Sequence, residues 1–421
     1  MAYGLADFGA IRSAFGNRNF AIYTAGSAVT LVGLWVQRLG VGWLTWELTY
    51  SGFWLGVVAF ADLFPAVVVG PFAGVLADRL DRLRLALICQ GLSLLQTVLL
   101  FVLTWSGLIE IASLVVLTAF LGAVRAVYMP VRLSLVPSLV KADDVPAAVA
   151  ISSLIFNLAR FLGPALAGLL ITVWGVAPTF AVYAVTVVAL LFALTQLRIE
   201  RGAAATGRRG GMLAEIAEGV RYTARHPAIG PLLLLMLAIS VLARPVGELL
   251  PGFADAVFAR GAGGLAWLTS AVGLGAVAGG IWLAKRGSAA GLLMIALFGG
   301  GGCAISLLLF TGTTLFWVAV PAAAIFGGAM VSSAIATQTL ILGAVDDAVR
   351  GRVLSLYGVI FRGGPAIGSL VMGALSGPFG LRWPLAVGGL LCLAATALLW
   401  PRRRRLIVLL ERAGPRRIQA G

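Results

Sequence analysis

Apolar residues run along this chain in unbroken stretches of about twenty, each closed by a short polar or glycine-bearing break. A hydrocarbon layer about 30 Å thick is crossed by roughly 20 helical residues, so runs of this length predict membrane-spanning helices. They fall at 20–46, 53–76, 85–105, 111–131, 147–173 and 178–197. A polar, arginine-rich stretch from Arg198 to about His226 follows, and a second set runs 228–254, 264–284, 289–311, 314–340, 352–375 and 381–400. Strands of a membrane barrel would need segments of about ten residues alternating apolar and polar, and these runs do not alternate. The expected fold is all-α and membrane-embedded, twelve transmembrane helices in two six-helix bundles. The bundles occupy 1–197 and 228–400, joined by a linker at 198–227 and followed by a basic tail at 401–421.

Composition agrees: 60% of the residues are hydrophobic and 11% charged, which excludes an ordinary water-soluble domain. The net charge of +15 would suit nucleic acid, but its distribution gives another reading. With both termini cytoplasmic, 24 of the 31 Lys and Arg residues fall on the cytoplasmic side, leaving Arg260 and Arg382 outside and five within spans. That is the bias that orients helical membrane proteins, so the basic residues are expected to face lipid headgroups and no nucleic acid is implied. The predicted location is the cytoplasmic membrane, multi-pass. The first apolar run is too long for a secretory leader and reads as the first span. Cys89, Cys303 and Cys392 lie in apolar runs and the sole histidine is His226, so neither a metal site nor a cofactor is expected.

The two halves echo each other. "FNLARFLGPALAGLL" in span 5 and "GVIFRGGPAIGSLVMGAL" in span 11 superpose on a shift of 201 residues, which aligns Gly163 and Pro164 with Gly364 and Pro365. Arg160 then falls within one position of Arg362, and an acidic inner loop precedes each. Two matching halves suggest duplication with a path between them.

The stretch "GVLADRLDRLRL" between spans 2 and 3 resembles the signature loop of the major facilitator superfamily, roughly G-x-L-A-D-R-x-G-R-R, with Gly74, Asp78, Arg79 and Arg82 in register. "ARFLGPALAG" is similar to the Gly-Pro motif of its antiporters and exporters. Together with "WLTWELTYSG" and "RGRVLSLY" it is most similar to the branch that includes the enterobactin exporters and related drug and siderophore efflux proteins. Asp81 stands at the usual glycine position, Leu83 replaces a base, and the matching loop of the second half is reduced to "LAKRGS". The resemblance implies two bundles rocking around a central site. It also implies a gating role for Asp78 and Arg79 near the start of span 11, where "DDAVRGRV" presents Arg350 and Arg352. Gly163, Pro164 and Gly168, with Gly364 and Pro365, form the corresponding helix-bend motif. An anchor at the headgroups is the simpler role for the loop charges, and close packing the simpler role for the motif.

A charge inside a span costs about 2.5–3.5 kcal/mol, so each is a functional candidate. These are Arg38, Asp62, Arg125, Arg160, Arg244, Glu248 and Arg362. Arg38 and Asp62 fall at similar depth and can pair. Arg244 and Glu248 are spaced i,i+4 beside Pro245. Arg125, near the end of span 4 as drawn, can snorkel to the interface or serve the proton coupling that the resemblance links to an arginine in this helix. For the two pairs, an ion pair that only holds helices together remains open; for Arg160 and Arg362 the simpler role is a packing position that donates to backbone carbonyls, against one at the central cavity. Gln37, Asn157 and Gln338 are further contacts for substrate or between helices, with the aromatic Trp35, Phe156 and Tyr357 ranked below them.

Five arginines against two carboxylates favour an anionic or acidic amphipathic cargo over a cationic one. No G-x-x-x-x-G-K-[ST] phosphate loop occurs, so an ion gradient is expected to drive transport, with Asp62 and Glu248 the candidates to carry a proton. No constellation suits an enzyme. The expected protein is a monomeric secondary transporter, a proton-coupled exporter of a small amphipathic or anionic compound, siderophore-like or drug-like. An importer or lipid translocator of the same fold, and a non-transporting scaffold or sensor, are the alternatives.

Overall fold

In the computed structural model, residues 8–70, 72–73, 76, 80–197, 212–288, 290–345 and 347–411 are described. Among them the regular structure is helical throughout. Eleven helices are long and apolar enough to cross a membrane, and a shorter apolar one, Gly52–Val68, makes a twelfth segment. The chain is a multi-pass membrane protein.

The helices are α1 (Phe8–Gly16), α2 (Arg18–Thr49), α3 (Gly52–Leu63), α4 (Pro65–Val68), α5 (Arg82–Trp105), α6 (Ile111–Ser138), α7 (Val145–Trp174) and α8 (Ala177–Thr195). After the central polar stretch come α9 (Met212–Arg225), α10 (Ile229–Ala238), α11 (Val246–Gly252), α12 (Gly261–Arg286), α13 (Leu292–Gly312), α14 (Phe316–Ala344), α15 (Asp347–Phe379), α16 (Arg382–Leu399) and α17 (Arg403–Leu410). Polar groups close several ends where backbone N–H groups lack helical partners. Asn17 accepts from the Asn19 N–H at 3.1 Å, and Asp81 accepts from the Arg84 N–H at 2.8 Å. Asp81, which departs from the loop motif, is thus the N-cap of α5.

Three elements were not expected as helices. α1, α9 and α17 lie in stretches read as an N-terminal segment, a linker and a tail. All are short and mix charge with apolar residues, so they carry no run long enough to span. The seventh span is also uneven. Pro245 and Pro251 supply no N–H, and wide five-residue turns at Ile239–Ala243 and Phe253–Val257 flank α11. The Arg244 N–H reaches back to the Ile239 carbonyl at 3.0 Å.

By contacts the chain divides into two compact units. The first takes Met1–Tyr50, Val57–Arg208 and Ala254–Ser270. Its core joins Phe20 and Tyr23 of α2, Leu85 and Cys89 of α5, Val131 and Leu135 of α6, and Leu190 and Leu194 of α8. α2 runs beside α8, where the Thr30 hydroxyl donates to the Thr186 carbonyl at 2.7 Å. The second unit takes Ser51–Gly56, Arg209–Phe253 and Ala271–Gly421. There α13 packs against α14 and α16, burying Leu293, Ala296, Cys303, Leu385 and Cys392. Within it α12 and α14 touch backbone to backbone: a Cβ on Gly275 would overlap the Ala324 carbonyl, and one on Gly327 the Val272 carbonyl. Small residues at such crossings let helices associate by close van der Waals contact.

Candidate functional site

In the first unit a single carboxylate gathers two arginines. Asp62, near the end of α3, meets Arg125 of α6 at 2.9 Å from Nη1 to Oδ1, and Arg38 of α2 at 3.5 Å from Nη1 to Oδ2. The Asp62 side chain is 13% exposed, against 26% for Arg38 and 32% for Arg125. Gly122, one turn before Arg125, sets the spacing: a Cβ there would lie 2.5 Å from the Asp62 carbonyl oxygen. The three side chains carry one net positive charge.

Trp35, one turn before Arg38, extends this cluster. Its ring centroid lies 5.5 Å from the Arg38 guanidinium carbon and 5.7 Å from that of Arg160, within cation–π range. Phe156 meets the ring edge-on at 6.1 Å, and Gly163 abuts the Trp35 Cβ, where a methyl group would overlap it. The indole N–H is buried and makes no hydrogen bond within the described residues. Beside Arg38, the Gln37 amide donates to Gln96 at 3.2 Å and accepts from the Thr97 hydroxyl at 3.0 Å. This buried polar layer joins α2 to α5. Asn157 donates to the Ser153 carbonyl of its own helix at 2.8 Å.

The second unit arranges its candidates differently. The Arg244 guanidinium donates to the Phe361 carbonyl at 2.7 Å and lies 4.3 Å from the Phe361 ring centroid. Phe361 stacks on Tyr357, whose hydroxyl donates to the Ala334 carbonyl at 3.3 Å. Glu248 is half-buried in the first turn of α11, while Gln338 and Arg362 are exposed. Gly364 and Pro365 are buried inside α15, where a Cβ on Gly364 would come 2.6 Å from the Ser240 Cβ. Gly163, Pro164 and Gly168 are likewise buried inside α7. In the loop motif Arg82 reaches the Ser134 carbonyl at 3.4 Å; Gly74, Asp78 and Arg79 lie outside the described residues.

Two carboxylates had escaped notice. Trp46 Nε1 donates to Asp255 at 2.8 Å, and Trp43 Nε1 donates to Glu47. Glu47 and Asp255 each fall one residue beyond a predicted span and so read as interfacial. Trp43 and Glu47 stand i,i+4, which was the available signal. Among the described residues no group of three or more His, Cys, Asp or Glu side chains is placed to hold a metal ion.

Twelve apolar helical segments and intramembrane arginines gathered on one carboxylate define a membrane transporter of the major facilitator superfamily, a class of transporters rather than enzymes. More narrowly, the chain belongs to the transmembrane secretion effector family, whose profile matches residues 11–407. It is 27% identical over 372 residues to the enterobactin exporter EntS of Escherichia coli O1:K1 / APEC, covering 87% of this chain and 85% of that one. It is 31% identical over 164 residues to the staphyloferrin A transporter of Staphylococcus aureus (strain NCTC 8325 / PS 47); that match spans 39% of this chain and 41% of the relative. In fold it is similar to the nucleoside transporter NupG, with a TM-score of 0.69 at 12% identity over 91% of this chain and 98% of that one. It is likewise similar to a D-xylose-proton symporter, with a TM-score of 0.69 at 14% identity over 90% and 97%.

Proposed function

We propose that the protein is a proton-coupled secondary exporter, working by alternating access, of a small amphipathic compound with an acidic group, such as a siderophore. The observation that carries this reading is the Arg38–Asp62–Arg125 cluster, with Trp35 set between Arg38 and Arg160. Ionised Asp62 fixes both guanidiniums, and the positive charge the cluster keeps attracts the acidic group of the cargo while Trp35 covers its apolar part. A proton on Asp62 weakens that clamp, so the guanidiniums lose their fixed geometry and cargo is released. Proton and cargo thus exclude one another, as antiport requires. Glu248 is the second carboxylate candidate. The similarity to the enterobactin exporter EntS supports the cargo class and the outward direction, and that to the staphyloferrin A transporter supports the cargo class.

A second reading draws on the same geometry. If cargo instead displaces Asp62 from the guanidiniums, protonation strengthens binding and proton and cargo move together, as in uptake. Efflux and uptake in sealed vesicles under imposed pH gradients of either sign distinguish the two. Export driven by an inward proton gradient, lost in Asp62→Asn, is the expected result. Export that survives both Asp62→Asn and Glu248→Gln refutes the coupling, and selective efflux of lipophilic cations indifferent to the arginines refutes the cargo class.

The same proposal places both termini in the cytoplasm, from the distribution of basic residues, and divides the chain into bundles 1–197 and 228–400. Asp78 and Arg79 then act as a gating latch. Lost transport with normal insertion in Asp78→Asn is expected, and unchanged transport leaves that loop only an anchoring role.

A further inference from the structure

We infer that the end of the last span is a built docking surface for the phosphate headgroups of anionic lipids. The segment after α16 does not trail away. α17 folds back on α13 and α14, burying Leu406 and Leu410, four residues apart on one face. Its far end is pinned by Glu411, whose two carboxylate oxygens accept the N–H groups of Gly291 and Leu293 at 2.9 Å each, at the start of α13. Its near end is pinned by Arg403, which donates to the Trp400 carbonyl at 2.9 Å and covers the Trp400 ring at 4.8 Å. Trp400 in turn packs edge-on against Phe298 of α13.

With the inner face and both ends committed, the outer face presents exposed Arg404 and Arg405 with Val408 beside them, and Arg402 is exposed in the turn just before. None of the three arginines has an ion-pair partner among the described residues. At the same end of the unit, α12 finishes in exposed Lys285 and Arg286, and Arg286 donates to the Ala290 carbonyl at 2.7 Å next to the loop that Glu411 caps. Among the described residues, Lys285, Arg286 and the four arginines 402–405 thus put six cations around Glu411. Its carboxylate is held by the Gly291 and Leu293 N–H groups and makes no ion pair with these arginines among the described residues.

The chemistry and the depth select one partner. A cluster of guanidiniums offers donors that match phosphate geometry. Trp282 and Trp400 are exposed within a turn or so of the basic residues, as aromatic side chains are at the edge of the hydrocarbon layer. An exposed valine on the arginine face suits the headgroup–acyl boundary and is out of place on a surface for a water-soluble anion. Four to eight basic residues directly after a spanning helix are the pattern that attracts anionic lipid.

The test measures lipid retained by the purified full-length protein, by native mass spectrometry after exchange into mixed micelles of phosphatidylglycerol or phosphatidylcholine. Wild type is expected to retain phosphatidylglycerol selectively. The triple variant R402Q/R404Q/R405Q is expected to lose that selectivity by on the order of a hundredfold, about fivefold per arginine. R402K/R404K/R405K, which keeps the charge, retains most of it and controls for folding; the pair R404Q/R405Q serves if the triple glutamine variant does not fold. Unchanged phosphatidylglycerol retention in the glutamine variants, or equal retention of phosphatidylcholine by wild type, overturns the inference. So does displacement of the lipid by inorganic phosphate but not by chloride of equal ionic strength, which assigns the surface to free phosphate.

Discussion

Gly122→Ala tests how the Asp62 cluster is held together. The added Cβ would stand 2.5 Å from the Asp62 carbonyl oxygen, whereas ordinary contact begins at 3.4 Å, so α3 and α6 must separate locally by about 0.9 Å. Arg125 lies three residues on, on the same face of α6. If its side chain does not follow, its 2.9 Å contact with Asp62 opens to about 3.8 Å, beyond hydrogen-bond reach. Overpacking a tight helix contact costs about 1–3 kcal/mol, and a hydrogen bond to a charged group is worth about 1.5–3 kcal/mol. Gly122→Ala is therefore expected to destabilise by roughly 2.5–6 kcal/mol. About 1 kcal/mol or more of that should be coupled to the arginine. The assay is a double-mutant cycle of Gly122→Ala with Arg125→Gln, read by unfolding of the purified protein in detergent. Strict additivity of the two substitutions would show that the close approach and the ion pair are independent, and would refute the reasoning.

Other consequences follow from the same geometry. Asp62→Ala leaves two guanidiniums facing each other in a membrane protein interior and is expected to cost about 3–5 kcal/mol, whereas the triple R38Q/D62N/R125Q recovers much of that loss in the same unfolding assay. Gly275→Leu must push α12 away from the Ala324 backbone, with no flexible side chain to yield. A collapse of folded yield on size exclusion, larger than for Gly247→Leu, where nothing lies within 4 Å of the added Cβ, is the expected outcome. Glu411→Ala removes two charge-assisted hydrogen bonds from the start of α13. Hydrogen exchange at Leu293 and along 403–410 should accelerate by on the order of tenfold or more, with the rest of α13 unaffected.

The spans were legible in the sequence because bilayer thickness fixes their length and each is a single apolar run. Placing Arg38 and Asp62 at one depth needed no more than counting from span ends. Arg125 was harder to read. Ending span 4 at residue 131, just past Pro130, put it near the edge, yet α6 continues through Pro130 and Pro137 to Ser138. Arg125 therefore sits mid-helix, 14 residues from Ile111 and 13 from Ser138. A proline removes one backbone bond, which a helix supported by its neighbours tolerates. Pairs such as Trp46 with Asp255, 209 positions apart, leave no local trace because only packing brings them together. α17 was read as a charged tail for a related reason: its apolar face has two buried leucines, too few to signal a helix until α13 and α14 are there to cover them.

The wide turn at Ile239–Ala243 also bears on which changes of length this span can absorb. A bond from residue i to i−5 encloses one residue more than the ordinary i to i−4 ring, so the turn holds a spare residue. Deleting one residue there closes the turn to α geometry and keeps the helix beyond it facing as before. A deletion in the regular helix of α10 would instead rotate Arg244 and Glu248 by about 100° around the axis. The seventh span thus has a place, just before Arg244 and Glu248, where its length is free to change without turning those charges away from their neighbours.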